Sequence, residues 1–343
     1  MTGTLVVRFG RFSRRTTKRA LAVQCTLVVV IIACTLAALT LGSRSLTITE
    51  VFQALWAGDR SINHMVVVEW RAPRAVAAAL FGACLGISGA VFQSLTRNPL
   101  GSPDIVGLNT GAYTGVVVML MLGNTGYGAQ AAGAIAGGLG AAALIYLLAY
   151  RRGMGEFRLV IVGIAVSAML SSINVWFSVH VDLALAAEAA VWGAGSMHGV
   201  EWPVLLISGA IALPLLCSLP WLARSLRQLQ LGDDTAAALG VPVERSKVLI
   251  VVVGVALTAL VTAVAGPIAF IALAAPPIAA RITGRSGALD LASAALVGAV
   301  LLSGADLVAQ HALPNATLPV GAVTVCLGGL YLIWLLFREG GRS

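Results

Sequence analysis

The chain has 343 residues, of which 59% are hydrophobic and 10% are charged, with a formal net charge of +8 and a mean hydropathy of +0.94. Soluble domains carry roughly 25% charged residues, so this composition cannot build a water-facing surface and the solvent must be lipid. The cysteines lie in apolar runs without a CxxC pair, and the histidines show no HxxH or HxxxH spacing, which argues against a disulfide framework and against a metal site.

The first apolar run, about residues 22–42, follows a basic segment. A secretory signal peptide is the alternative, but the run is longer than an ordinary h-region and no clear cleavage site follows it. We therefore predict a retained first transmembrane helix behind a basic cytoplasmic N-terminus, residues 1–20. Because the positive charge is concentrated at this end, it does not indicate a nucleic-acid partner. The basic residues of the segment are Arg8, Arg11, Arg14, Arg15, Lys18 and Arg19.

Ten apolar runs are candidates for membrane spans, since crossing the hydrocarbon core takes roughly 20 helical residues. The third and eighth are the weakest, because one follows a Gly/Pro-rich entry and the other carries Pro276 and Pro277, which kink or break helices. Two further segments, 46–57 and 182–200, are predicted to be short helices at the outer interface. The ten runs are 22–42, 73–95, 108–122, 128–150, 158–179, 202–222, 247–266, 268–283, 287–309 and 318–337.

The basic residues test this count, because cytoplasmic loops of membrane proteins are enriched in Lys and Arg. With the N-terminus in the cytoplasm, only four of the 22 basic residues fall outside, namely Arg44, Arg60, Arg71 and Arg74. A miscounted span would reverse every later loop and remove this bias. The sequence therefore predicts an all-α polytopic membrane protein with about ten transmembrane helices and both termini in the cytoplasm.

Acidic residues are rare, and Asp104, Asp290 and Asp306 lie at or near span ends. We interpret them as interfacial or capping carboxylates; a proton or ion relay, as in an ion-coupled secondary transporter, is the alternative. The chain contains no GxxxxGK[ST], GxSxG or HExxH motif, so we expect no nucleotide site and no enzymatic activity of its own. A membrane anchor without transport activity is a more distant alternative.

One polar segment, "QLQLGDDTAAALGVPVERSK" (228–247), interrupts the apolar runs within a predicted cytoplasmic loop, residues 223–246. Asp233 or Asp234 is suited to cap a short helix, Gly240 to end it, and Pro242 to begin a second one. A helix this short is unstable alone in water and needs a surface to dock on. The segment is therefore predicted to insert into a cytoplasmic partner, with a solvated loop as the alternative.

Five stretches together resemble the FecCD family, the permease subunits of ABC importers for ferric siderophores, haem and vitamin B12. They are "RAPRAVAAALFGACLGISGAVFQSLTRNPLGSPDIVGLNTGA" (71–112), "VWGAGS" (191–196), "LGDDTAAALGV" (231–241), "GPIAFIALAAPPIAARITG" (266–284) and "LPVGAVTVCLGGLYLIWLL" (318–336). The resemblance implies one transmembrane domain, residues 1–343, with the type II ABC importer permease fold in a bacterial cytoplasmic membrane. It also implies four partners: a cytoplasmic ATPase dimer, a second FecCD-type permease, an extracytoplasmic binding protein and a ferric-siderophore cargo. No cofactor is expected in this chain, because ATP and Mg²⁺ would bind the ATPase subunits.

The resemblance also implies three sets of functional residues. Arg71 and Arg74 correspond to residues that hold the binding protein, while Gln310 stands where some relatives have a third docking arginine. The ATPase-coupling residues are Leu231, Gly232, Asp233, Asp234, Ala236, Leu239 and Gly240. The substrate path between two permeases would be bordered by Ser171, Asn174 and Trp176 of the fifth span and Thr324 of the tenth.

Two departures from the family pattern concern the cargo. Pro277 stands where histidine is common, and residues 328–332 read "GGLYL" where "GAPxF" is common. The stretches "FIALAAP" and "LGGLYLIWLL" are most similar to one of the two unlike permeases of ferric-enterobactin-type importers. We expect a ferric siderophore and a heterodimer; vitamin B12 or haem as cargo and a homodimer are the alternatives.

Overall fold

The computed structural model describes residues 4–9, 12–42, 44–56, 61–149, 156–284, 290–313 and 316–340. Within these ranges the regular secondary structure is helical, apart from an antiparallel hairpin formed by β1 (Thr4–Phe9) and β2 (Phe12–Thr17). No strand was expected in this basic segment from the sequence. The hairpin has a local cause, because β1 reads TLVVRF and β-branched residues favour extended backbone.

A helix occupies each of the ten predicted span positions, and two more occupy the predicted interfacial segments. The first α-helices are α1 (Lys18–Thr40), α2 (Ile48–Trp56), α3 (Ile62–His64), α4 (Ala72–Leu95), α5 (Leu108–Met121), α6 (Tyr127–Ala149) and α7 (Glu156–His180). The others are α8 (Leu183–Gly193), α9 (Trp202–Leu229), α10 (Asp233–Ala238), α11 (Val243–Ala265), α12 (Ile271–Thr283), α13 (Leu291–His311) and α14 (Val320–Gly340). A π-helical turn (Met65–Arg71) joins α3 to α4, and a 3-10 turn (Pro103–Val106) precedes α5.

Among the described residues, seven helical segments are long and apolar enough to cross a membrane. The described apolar parts of α5, α12 and α14 are shorter. The seven segments are Lys18–Thr40, Ile62–Leu95, Tyr127–Ala149, Arg158–His180, Trp202–Leu229, Val243–Ala265 and Leu291–His311.

The two prolines of α12 do not break it. Pro276 and Pro277 lie inside the helix, which begins at Ile271 after the non-helical stretch 266–270. A proline has no N–H, so Pro277 leaves the carbonyl of Leu273 without its helical partner. The amide Nε2 of Gln93 donates to that carbonyl at 2.9 Å. A side chain of α4 therefore replaces the hydrogen bond that the proline removes.

Close packing of α4 holds the centre of the molecule together. A Cβ placed on Gly82 would lie 2.4 Å from the carbonyl oxygen of Gly298, and one on Gly86 would lie 2.2 Å from that of Ala294. The backbones of α4 and α13 are thus in direct contact, the kind of small-residue interface that membrane helices use. The helices α5 and α6 repeat the arrangement, since a Cβ on Gly115 would lie 1.9 Å from the carbonyl oxygen of Gly133.

Side-chain contacts sort the helix ends into two faces. On one face Arg19 donates to the carbonyl of Ile282 at the end of α12, and Gln24 donates to Ser293 at the start of α13. The same face carries α10 and the end of α4, so we call it the α10 face. On the opposite face Arg71 reaches the end of α1, and the indole of Trp202 donates to the carbonyl of Val68 at 2.6 Å. This grouping agrees with spans that alternate in direction.

We expect Gly298→Val to destabilise the fold, because the added side chain would push α4 and α13 apart. Overpacking of this kind costs about 1–3 kcal/mol of unfolding free energy. Unfolding of the purified protein in mixed micelles against rising SDS would measure the loss. The matched control is Gly304→Ala on the same helix, where a Cβ would meet nothing within 4 Å. Equal stabilities of the two variants would contradict backbone contact between α4 and α13.

Candidate functional site

The polar segment at the α10 face forms one short helix, α10, and the beginning of α11. The predicted cap by Asp233 or Asp234 is wrong, because Gly232 is the N-cap, with φ of 110°, and no side chain caps it. Gly240, with φ of 82°, ends the segment as predicted, since this region of backbone space favours glycine. Pro242 is the N-cap of α11, so the expected second short helix is the first turn of a long one.

Asp233 ties α10 to the rest of the chain. Its Oδ2 accepts from Nζ of Lys247 at 2.5 Å, and its Oδ1 accepts from Nη2 of Arg97 at 3.3 Å. Lys247 is 3% exposed, and a buried cation requires a counter-ion. Arg97 also donates to the carbonyl of Leu229 at the end of α9. Arg97 and Lys247 were not predicted from the sequence as parts of this site, because only the fold brings them to Asp233.

The outer surface of α10 carries exposed Asp234 and Thr235, and an exposed leucine lies on either side of the helix. Leu231 is 64% exposed and Leu239 is 56% exposed, while Asp234 is also exposed. Ala236, by contrast, is fully buried against the protein. Exposed leucines on a polar loop are characteristic of a surface that another protein covers. The predicted coupling residues therefore divide into an inner set that holds the helix and an outer set that is available for contact.

On the opposite face, the predicted docking residue Arg74 is held inside the protein. Its Nε lies 3.1 Å from both carboxylate oxygens of Asp306 on α13, and its Nη2 lies 2.8 Å from Oδ1. Gln310 donates to Oδ2 of the same carboxylate at 2.7 Å. The side chains of Arg74 and Asp306 are 16% and 3% exposed. The group therefore joins α4 to α13, and Gln310 belongs to it.

Arg71, the other predicted docking residue, bonds to backbone carbonyls at the end of α1. Its Nη1 donates to Leu39 at 2.8 Å and its Nη2 donates to Arg44 at 2.7 Å. It is the last residue of the π-helical turn, a geometry that is rare and frequent at functional sites. Both arginines line a cavity of about 700 Å³ on this face, together with Glu69 and Glu201.

The predicted path residues are not all brought together. Ser171 and Asn174 of α7 line a cavity of about 560 Å³ between α5, α7 and α8. Trp176 is 57% exposed and stacks on His180, with ring centroids 4.6 Å apart. Thr324 is 1% exposed and donates to the carbonyl of Gly321 on its own helix. Thr324 is therefore packed inside this chain and does not line the cavity.

The three aspartates near span ends have structural partners. Asp290 caps α13 by accepting from the N–H of Ser293 at 3.2 Å, as the capping interpretation predicts. Asp306 pairs with Arg74, and Asp104 accepts from the side-chain amide of Asn109. Across the described ranges, no group of three or more His, Cys, Asp or Glu side chains could hold a metal ion.

Comparison with known proteins gives a consistent result. The profile of the FecCD transport family matches residues 29–338. The ferric enterobactin transport system permease protein FepG of Escherichia coli (strain K12) is 48% identical over 328 residues, which cover 95% of this chain and 98% of that protein. The achromobactin transport system permease protein CbrC of Dickeya dadantii (strain 3937) is 34% identical over 341 residues, with 99% and 98% covered. The fold matches a solved ABC transporter in an inward-facing conformation with a TM-score of 0.81 and 24% identity, covering 93% of this chain and 99% of that one.

We expect Asp306→Ala to destabilise the protein strongly, because it leaves the largely buried Arg74 guanidinium without its counter-ion. Removing one partner of a buried pair costs about 3–5 kcal/mol, whereas replacing both by apolar residues is often nearly neutral. The double variant Arg74→Leu/Asp306→Leu should therefore unfold at a higher SDS concentration than Asp306→Ala. A double variant that is no more stable than Asp306→Ala would show that the pair contributes through something other than charge compensation.

Proposed function

The chain belongs to the FecCD transport family, and we propose that it is the permease subunit of an ATP-driven ABC importer for a ferric siderophore. The observation that carries the proposal is the 48% identity, over 95% of the chain, to a ferric enterobactin permease. The chain is a multi-pass membrane protein, and the proposed location is the bacterial cytoplasmic membrane. ATP hydrolysis is assigned to partner subunits.

The proposed topology has ten spans and places the α10 face in the cytoplasm. The ten helices at the predicted positions and the scarcity of basic residues on the opposite face support it. The short helices α5 and α12 would then cross only part of the bilayer. The chain enters them through non-helical backbone at residues 101–102 and 266–270, which is buried or partly buried. Such backbone is tolerated at membrane depth where protein covers it.

Energy from ATP would enter through α10. Exposed Asp234 on α10 and the exposed leucines on either side of it, Leu231 and Leu239, offer an apolar contact with one charge for the ATPase subunit. The ion pairs of Asp233 with Lys247 and Arg97 would carry a displacement of α10 into α11 and the end of α4. Asp233 therefore joins α10 to the rest of this chain, whereas Leu231, Asp234 and Leu239 would contact the ATPase.

The remaining partners are a second FecCD-type permease, which makes a heterodimer, and an extracytoplasmic binding protein. Arg71 is the stronger docking candidate of the two arginines, because the charge of Arg74 is compensated by Asp306. Arg71 keeps its charge while its hydrogen bonds fix its position, so it can attract an acidic group at the cavity mouth. Gln310 contributes no charge there, and docking would rely on Arg71 and on the rest of the cavity rim.

Two alternative functions can be weighed against the structure. A vitamin B12 or haem permease would share this fold, and cargo assays must decide between them. An ion-coupled secondary transporter needs a carboxylate that is free to bind the coupling ion. The aspartates near the span ends that the structure describes each accept a hydrogen bond from a neighbouring side chain or backbone amide, which favours the ABC importer.

The deciding experiment is co-expression with candidate ATPase, second-permease and binding-protein subunits, followed by uptake into proteoliposomes. We expect a stable complex that takes up ferric enterobactin only when ATP is present on the side of the proteoliposome membrane that carries the ATPase subunits. Uptake that is driven by an ion gradient without ATP would contradict it. Preferential uptake of vitamin B12 or haem would retain the permease assignment and overturn the cargo.

We expect Leu239→Asp to weaken association with the ATPase by about tenfold, because an ionised group would replace an apolar contact at the interface core. Co-purification and cargo-stimulated ATP hydrolysis would measure the effect. Leu183→Asp is the matched control, since Leu183 is 86% exposed at the start of α8 on the other face. If both variants associate equally well, α10 is not the ATPase contact.

We expect Arg71→Gln to lower the affinity for the binding protein and to reduce its salt dependence. Glutamine removes the charge that attracts an acidic partner. It also loses bonds to the carbonyls of Leu39 and Arg44, but that loss does not change the salt dependence of binding. Titration of the binding protein at several salt concentrations gives both quantities. Arg44→Gln, which removes an exposed cation on the same face, is the control. An unchanged salt slope in Arg71→Gln would limit Arg71 to its structural bonds.

A further inference from the structure

We propose that the hairpin of β1 and β2 is an amphipathic anchor that lies on the surface of the bilayer and binds anionic phospholipid headgroups. The hairpin lies outside residues 29–338, which match the family profile, so the proposed transport function gives it no role. Its role as an anchor is separate from that function, because it depends neither on the cargo nor on ATP.

The hairpin is held directly at the membrane. Its second strand ends at Thr17, and α1, a helix long and apolar enough to cross a membrane, begins at Lys18, so no linker separates the two. The side-chain oxygen of Thr17 caps α1 by accepting from the backbone N–H of Ala20 at 3.2 Å. Among the described elements, the strands make extensive contacts only with each other and with α1. The sheet is therefore placed beside lipid without a helix packed across it.

The strand register makes the hairpin amphipathic. Residues that pair directly across an antiparallel ladder share a face, and successive residues of a strand alternate between faces. One face carries most of the large apolar residues, and the other is mostly polar. An apolar face beside a bilayer leaves water by lying against the acyl chains. The pairs of the apolar face are Leu5–Thr16, Val7–Arg14 and Phe9–Phe12, and those of the polar face are Thr4–Thr17, Val6–Arg15 and Arg8–Ser13.

The charge of the segment selects the lipid. No acidic residue precedes Glu50 in the sequence, so the basic residues of the hairpin have no carboxylate within their own segment. Clusters of Lys and Arg next to a transmembrane helix are attracted to anionic headgroups. Arg14 belongs to the apolar face by register, and the long stem of an arginine allows its charge to reach the headgroups from such a position. An anionic phospholipid therefore fits the hairpin better than a zwitterionic one does.

An anchor at this point would hold the first helix in place. The buried residues of α1 are Ala20, Ala38 and Leu39, so the rest of the protein covers little of this helix. Arg19 and Gln24 add hydrogen bonds to α12 and α13. A two-stranded hairpin alone is marginally stable in water, whereas burial of its apolar face in the membrane interface would stabilise both the hairpin and the position of α1.

The test uses the full chain in nanodiscs, with the native cysteines replaced by alanine and a nitroxide label on one introduced cysteine. Power-saturation EPR compares collisions of the label with oxygen, which partitions into lipid, and with a water-soluble nickel chelate. In bilayers that contain phosphatidylglycerol, we expect the label at Phe12→Cys to lie among the acyl chains. The matched label at Ser13→Cys, on the other face, should remain in water. Pure phosphatidylcholine, or about 0.5 M salt, should shift the Phe12→Cys label toward water, because both remove the attraction between charges.

The unmodified protein supplies a second measurement, which decides if the cysteine-free chain does not fold. Backbone amides of β1 and β2 should exchange hydrogen about tenfold more slowly with phosphatidylglycerol than with phosphatidylcholine, because docking suppresses opening of the hairpin. The variant Arg8→Gln/Arg14→Gln/Arg15→Gln should abolish this difference.

Three results would overturn the anchor. The first is equal depth of the two labels in bilayers that contain phosphatidylglycerol. The second is equal exchange in the two lipids, which would remove the preference for anionic headgroups. The third is exchange that slows only when the ATPase subunits are added, which would assign the hairpin to a protein contact.

Discussion

The fold depends on direct backbone contact between helices at glycine. Lipid provides no hydrophobic force that draws two apolar helices together, so close van der Waals packing must do so. The approach of α4 to α13 at Gly82, Gly86 and Gly298 brings the helices near enough for this. The ion pair of Arg74 with Asp306 lies at this α4–α13 interface. Gln93 donates to the Leu273 carbonyl at the separate contact of α4 with α12, where Gly89 packs against the backbone of Ala272.

Polar contacts at the two ends of α4 have different consequences. At one end the Arg74–Asp306–Gln310 group fixes α4 to α13 and removes one charge from the surface that is proposed to face a binding protein. At the other end Arg97 links the loop after α4 to α9 and α10. The central helix α4 is therefore connected to the proposed ATPase contact at one end. At the other end it is connected to the cavity lined by Arg71 and Arg74 on the opposite face. The ion pairs at its ends do more to position α4 than to attract partners.

The sequence predicted the positions of the helices well because hydropathy and proline or glycine punctuation are local properties. It also predicted the α10 segment, the end at Gly240 and the cap at Asp290. It could not predict which side chains meet across helices, so Lys247, Asn109 and the partner of Arg74 were missed. The N-cap of α10 was wrongly predicted to be Asp233 or Asp234, whereas it is Gly232. The physical cause is that the carboxylate of Asp233 binds Lys247, fourteen residues later, and Arg97, which is distant in sequence. The carboxylate is therefore not available to cap its own helix.

The prolines of α12 have a consequence for how the protein is assembled in the membrane. The helix has 13 residues, too few to cross the bilayer alone, and each proline leaves a carbonyl without its helical donor. Released by itself into lipid, this segment would expose unpaired backbone and insert poorly. Beside α4, Gln93 supplies the donor for the carbonyl that Pro277 frees. Because α4 precedes α12 in the chain, we expect the insertion of α12 to depend on an α4 that is already in the membrane.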